Sequence, residues 1–81
     1  MAGYHKVEIP KGVLGEFSKI EEEILELKDA ASQNCNVLVL CELCDLLGAI
    51  EAFTTKQFNI TLRDLTQFKN LTKQAFESGK R

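Results

Sequence analysis

The chain has 81 residues, a hydrophobic fraction of 44% and a net charge of −2, which predicts a single small domain with a marginal core of its own, since a chain of this size buries only roughly 60% of the surface it exposes unfolded. The acidic balance removes any electrostatic reason to expect nucleic acid as a partner. An odd number of cysteines, 3, and a start (Met1 to Lys6) without the apolar stretch of a secretory signal argue against a disulfide scaffold and for a cytoplasmic protein.

Residues 1–12 have no sustained period and contain Pro10 and Gly12. They read as an extended arm, His5 included, ahead of one helical domain spanning 13–81. The first helix is predicted over about residues 13–32, because Val13, Phe17, Ile20, Ile24, Leu27 and Ala31 recur at the three- and four-residue spacing of an amphipathic stripe. At about 100° per residue, Glu23 falls on the edge of that stripe and Glu26 one turn further along the same flank. Glu22 points nearly opposite the stripe, and Lys19 sits one turn before Glu23. The second helix is predicted over about residues 36–55. Val37, Val39, Leu40, Leu43, Cys44, Leu46, Leu47 and Ile50 cover more than half of its circumference, and a helix so apolar is normally buried. Its longest apolar run, Val37 to Cys41, is far too short to cross a bilayer. Within it, Glu42 and Asp45 project from one face that otherwise avoids charge. The third helix is predicted over about residues 61–78, opened by Thr61 as N-cap with Asp64 answering it and Ile60 and Leu65 as a staple. Leu65, Phe68, Thr72, Ala75 and Phe76 continue one face, and Gly79 suits the C-terminal cap. The fold class expected is all-α: a three-helix antiparallel subunit that completes a helical bundle by forming a homo-oligomer, a dimer or tetramer.

Two carboxylates three residues apart on one helix, facing two more on its antiparallel neighbour, form a cage of oxygens. Buried carboxylates cost several kcal/mol each when unpaired, and a divalent cation offsets that cost. All-oxygen ligation selects Mg²⁺ or Mn²⁺ over zinc. Taken alone, Glu21-Glu22-Glu23 is most often a solvated face paired with lysines; Glu42 and Asp45 are harder to read that way, because a solvated face would carry lysines as well.

The stretch Glu22-Glu23-Ile24-Leu25-Glu26, followed after a gap by Glu42-Leu43-Cys44-Asp45, resembles the E-E-x-x-E … E-x-x-D signature of the MazG-like all-alpha NTP pyrophosphatases. Dimeric dUTPases, dCTP pyrophosphatases and phosphoribosyl-ATP pyrophosphohydrolases belong to the same superfamily. Residues 15–20 and 72–81 look like segments of its short phage and bacterial members. The resemblance implies an enzyme, a Mg²⁺-dependent hydrolase (Mn²⁺ serving as well) that cuts a (d)NTP or related nucleotide between the α- and β-phosphates. Carried over by position, Glu23, Glu26, Glu42 and Asp45 bind the metal. Glu22 matches the first motif position, but its outward angle gives it an indirect role, through water or a second ion. Lys73 is the first candidate for holding the phosphates, with Lys19, Lys80 and Arg81 behind it. Many relatives carry a further helix over the nucleotide, so here the base pocket has to come from the arm, the third helix or a second subunit.

Cys41-Glu42-Leu43-Cys44 is formally a C-x-x-C. A zinc site from it with Cys35 and His5 is the weaker reading, since such a pair in mid-helix on apolar flanks is more often core packing. Phe53, Phe58, Phe68 and Phe76 read as core or subunit contacts before they read as a base-stacking platform. The rival from another class is a non-catalytic helical interaction module, or a degenerate site that binds nucleotide without hydrolysing it.

Overall fold

A computed structural model of the chain describes residues 5–79, Ala75 by its backbone alone. Three helices follow one another: α1 (Phe17–Ser32), α2 (Asn36–Phe58) and α3 (Leu62–Glu77). The all-α class is as the periodicity predicts. The boundaries differ where backbone chemistry intervenes. Helix α1 starts at Phe17 rather than near Val13 because Gly15 has φ 91°, a left-handed conformation that no helix contains and that glycine takes at little cost. Residues 13–16 instead form a turn, the Glu16 N–H donating to the Val13 carbonyl at 2.9 Å. The Gly15 carbonyl accepts from Gln57 Nε2 at 3.2 Å, tying that turn to the far end of α2. Helix α2 runs on to Phe58 and stops at Asn59, whose φ of 55° turns the chain; asparagine tolerates this conformation better than most residues. At the start of α3 the predicted capping box is present: Asp64 N–H donates to Thr61 Oγ1 at 3.1 Å, and Thr61 N–H to Asp64 Oδ2 at 3.4 Å. Gly79, at φ 76°, follows the helix end and donates to the Phe76 carbonyl.

Helices α1 and α2 pack along one another, whereas α3 packs sparsely on α2. Gln57 lies beside Gly15, Asp45 beside Glu23 and Glu42 beside Glu26, so the residue numbers run oppositely and the pair is antiparallel. What this hairpin encloses departs from the amphipathic expectation. The buried residues of α1 are Glu22, Glu23, Glu26, Asp29 and Ala30; those of α2 are Glu42 and Ala49. On α1 the acidic group spans an arc of about 120°, and this face turns inward. The stripe predicted to face the core is turned outward, with Phe17 and Ile24 exposed. Helix α2, expected to be buried, likewise exposes Val37, Leu40, Leu43 and Leu47, because two helices and an arm cover only the face that carries Glu42. No helix among the described residues is long and apolar enough to cross a membrane.

The arm is a strap rather than a loose end. It crosses the acidic face of α1 in the opposite direction, with Lys6 N–H donating to Asp29 Oδ2 at 3.1 Å and Gly12 N–H to Glu22 Oε1 at 2.7 Å. The second contact requires glycine, since a Cβ at position 12 would run into the backbone of Ser18 and Lys19. Gly12→Ala should therefore lift the strap and leave Glu22 short of a donor. Losing one donor, with Lys19 still on the same oxygen, costs on the order of 1 kcal/mol, and the midpoint of urea unfolding should fall accordingly. An unchanged midpoint would show that the strap contributes nothing to stability.

Candidate metal centre

Glu22, Glu23 and Glu26 occupy neighbouring positions on α1, and Glu42 and Asp45 one turn of α2 opposite. One ligand oxygen each from Glu23, Glu42 and Asp45 lie within 4.8 Å of one another, as do one each from Glu22, Glu23 and Glu26. The fold thus gathers the carboxylates singled out by their spacing. Glu22 needs correction. It does lie opposite the apolar stripe, but that side is the interior, and Glu22 is only 3% exposed. The angle on the helix is right; the inference that it points to solvent fails because α1 turns its acidic side to α2 and the strap.

These charges are only partly compensated. Lys19 Nζ lies 3.2 Å from Glu22 Oε1 and 3.1 Å from Glu23 Oε2, and Lys11 Nζ stands 3.7 Å from Glu22 Oε2. Desolvation by burial opposes ionisation of Glu22, but the Gly12 N–H and Lys19 outweigh it and hold its pKa below the ordinary carboxylate value. Burial also disfavours a charged Lys19, yet Glu23 and Glu22 together raise its pKa. Glu23 goes the other way. Desolvation pushes it up, with a further rise from Glu26 beside it, and Lys19 offsets only part of this. Glu23 Oε1 and Glu42 Oε1 are buried without a hydrogen-bond partner among the described residues. An orphaned carboxylate oxygen in a low-dielectric site is a standing cost, and a hard divalent cation satisfies it. An all-oxygen donor set of this kind is one that a hard divalent cation could take.

The raised pKa of Glu23 has a definite sign in stability. Below the unfolded-state value both states are protonated and there is no penalty; as pH rises through the folded value, the native state must ionise a disfavoured carboxylate and stability falls. Glu23→Gln should therefore raise the melting temperature of the metal-free chain at pH 7. The gain should vanish below the ordinary glutamate pKa. Thermal unfolding at pH 7 and pH 4 checks this, and a destabilised variant at pH 7 would contradict it. Glu22 and Asp29, whose pKa values are lowered, act oppositely: their contribution is present at neutral pH and lost as pH falls through their folded values.

The carboxylates open on a cleft of about 520 Å³ whose lining includes Lys11, Lys19, Glu22, Glu23, Glu26 and Asp45. Of the lysines predicted to hold phosphate, Lys19 is at this cleft. Lys73 is on α3, 4.0 Å from Glu77, with both side chains largely exposed, and does not line the cleft. Lys80 and Arg81 lie outside the described residues. Lys11 is a cation that the periodicity did not pick out. Two further polar residues, His5 and Asp29, likewise stand outside that pattern. His5 sits with Nδ1 2.8 Å from Asp29 Oδ2 and Nε2 3.2 Å from Glu42 Oε2, and Asp29 also accepts from Gln33 Nε2 at 3.0 Å. Asp29 follows Glu22 and Glu26 along the same face of α1, a signal present in their spacing; His5 has no such pattern.

The three thiols are exposed, and no cysteine joins a metal-competent group among the described residues. Phe53 is half-buried, making edge contacts with Phe17 at 6.0 Å and Phe58 at 5.9 Å between ring centroids, while Phe68 and Phe76 are exposed. Compared with protein-family models, curated proteins and solved structures, the chain finds no match.

Proposed function

We propose that the chain is a Mg²⁺-dependent nucleotide pyrophosphohydrolase of the MazG-like type, cleaving a (d)NTP or a related nucleotide between its α- and β-phosphates and working as a homo-oligomer. The observation that carries this reading is the burial of carboxylates from two antiparallel helices around oxygens that lack partners, Glu23 Oε1 and Glu42 Oε1. The ion pairs of Glu23 with Lys19 and of Glu42 with His5 engage only the other oxygen of each carboxylate.

Glu23, Glu26, Glu42 and Asp45 would hold the ion. Bound there, Mg²⁺ supplies charge neutralisation for the triphosphate and lowers the pKa of water. The chain's own residues do the rest by position. Glu22 fixes the strap through Gly12 N–H and keeps Lys19 at the mouth of the cleft. Lys19 and Lys11 are the cations placed to meet phosphate oxygens, which is where phosphoryl chemistry needs charge. The base pocket draws on the strap, α3 or a neighbouring subunit.

Purified chain incubated with a panel of canonical and modified (d)NTPs and Mg²⁺ or Mn²⁺ should release pyrophosphate from at least one of them. Binding without release would favour the degenerate nucleotide-binding site. Neither binding nor release, with no divalent-ion stabilisation, would leave a helical interaction module.

A further inference from the structure

The strap brings the chain's single histidine into the acidic cluster, and its surroundings are those of a metal ligand. One ligand atom each from His5, Glu26 and Glu42 lie within 4.8 Å of one another. The Nδ1 side is defined by Asp29, which accepts at 2.8 Å and is itself held by Lys6 N–H and Gln33. With these donors on its carboxylate, Asp29 is the acceptor that faces Nδ1 and makes it the donor side of the ring. In the neutral ring Nε2 is then a lone pair, and it stands 3.2 Å from Glu42 Oε2, a second lone-pair atom. Either a proton or a cation has to lie between them. A histidine whose other ring nitrogen donates to a carboxylate is the recurring arrangement at metal centres.

The independent sign of a ligand is Glu42 itself. Its side chain is only 4% exposed, and Oε1 has no hydrogen-bond partner among the described residues. A proton on His5 satisfies Oε2 and leaves Oε1 orphaned; a cation held by Nε2 and Glu42 can serve both oxygens. Glu26 completes the set and also borders a cleft of about 490 Å³ lined by His5, Lys6 and Lys11, which gives an ion a way in.

We propose that His5 Nε2, with Glu26 and Glu42, forms a mixed nitrogen–oxygen site for a divalent first-row transition ion, sharing these two carboxylates with the position of Glu23, Glu26, Glu42 and Asp45. Imidazole suits the later first-row ions, Fe²⁺ to Ni²⁺, is accepted by Mn²⁺ beside carboxylates, and adds little for Mg²⁺. The inference rests on the acidic cluster being a cation site, and it adds that the strap biases that cluster towards transition ions. Binding displaces any proton on Nε2 to solvent and involves no change of oxidation state.

Because the chain has one histidine, a spectroscopic signal from imidazole nitrogen assigns itself. Untagged full-length protein saturated with Mn²⁺ should show ¹⁴N modulation in electron spin echo spectra, and His5→Gln should abolish it. The same substitution should weaken Co²⁺ binding at least about tenfold and change Mg²⁺ affinity by less than about twofold. Should His5→Gln lose its helical circular dichroism, the wild-type spectrum alone still decides. Mn²⁺ bound without ¹⁴N modulation would overturn the inference and leave the carboxylate centre standing. No Mn²⁺ binding at all would overturn both.

Discussion

Glu42→Gln is expected to reduce pyrophosphate release by at least about 10²–10³-fold, the scale of losing one preorganised electrostatic contact to a developing charge. Glu42 is the residue common to the carboxylate position with Glu23 and Asp45 and to the group with His5 and Glu26. Its amide has the same size and can pair with His5 Nε2 as donor or as acceptor, so the fold is expected to survive. The metal-free variant should melt no lower than the parent, because an anion with a buried, unpartnered oxygen becomes neutral. What it should lose is the response to divalent ions. A site filled at 100 times its Kd contributes about 2.7 kcal/mol to stability, and in Glu42→Gln that shift should shrink towards zero. Asp45→Asn provides the contrast. Asp45 is exposed, so its variant should lose activity and ion response while its metal-free melting temperature stays where it was. Melting curves with and without Mg²⁺ or Mn²⁺, beside pyrophosphate release, separate ligation from charge burial. Full activity in both variants would end the metal-centre reading.

The contrast between these residues shows what is legible in a sequence of this kind. Thr61 and Asp64 announce the start of α3 because a capping box is a purely local device. Glu42 and Asp45 stand out because α2 is otherwise apolar over that stretch, so their shared face is evident without tertiary information. Glu22 is harder. Periodicity fixes its angle to the apolar stripe, but which side of a helix turns inward is decided by its neighbours, and here the inward side is acidic. Asp29 continues the Glu22–Glu26 face and is recoverable once that inversion is recognised. His5 is not, since its contact with Asp29 spans 24 residues and depends on the strap's path. Gly12 and Gly15 mark that path, yet only coordinates show that one admits a close approach and the other a positive φ. Lys73 lies on α3, 4.0 Å from Glu77 and largely exposed, away from the carboxylate cleft within one chain.

The inverted hairpin also makes a strong prediction about assembly. The described residues bury few apolar side chains, Ala30 and Ala49 among them, while Leu40 is 62% exposed and Leu47 49%. With Val37 and Leu43 they form one stripe on α2, roughly opposite Glu42 at about 100° per residue. A helix with carboxylates on its inner side and leucines on its outer side has its larger apolar face still to cover, and the same stripe on a second copy is a self-complementary surface for a two-fold contact. We expect the wild-type chain to be a dimer or tetramer by sedimentation equilibrium. The double substitution Leu40→Asp, Leu47→Asp should raise the dissociation constant at least about 10³-fold, since burying one leucine is worth about 1.5–3 kcal/mol, each change occurs in both partners, and ~4 kcal/mol already corresponds to that factor. The separated subunit should also lose much of its helical circular dichroism, because the metal-free acidic interior opposes folding instead of driving it. Divalent ions should restore part of that helicity without restoring the mass, which would place the two contributions on opposite sides of α2. A wild-type chain that sediments as a fully helical monomer would refute the assembly and require another cover for this stripe.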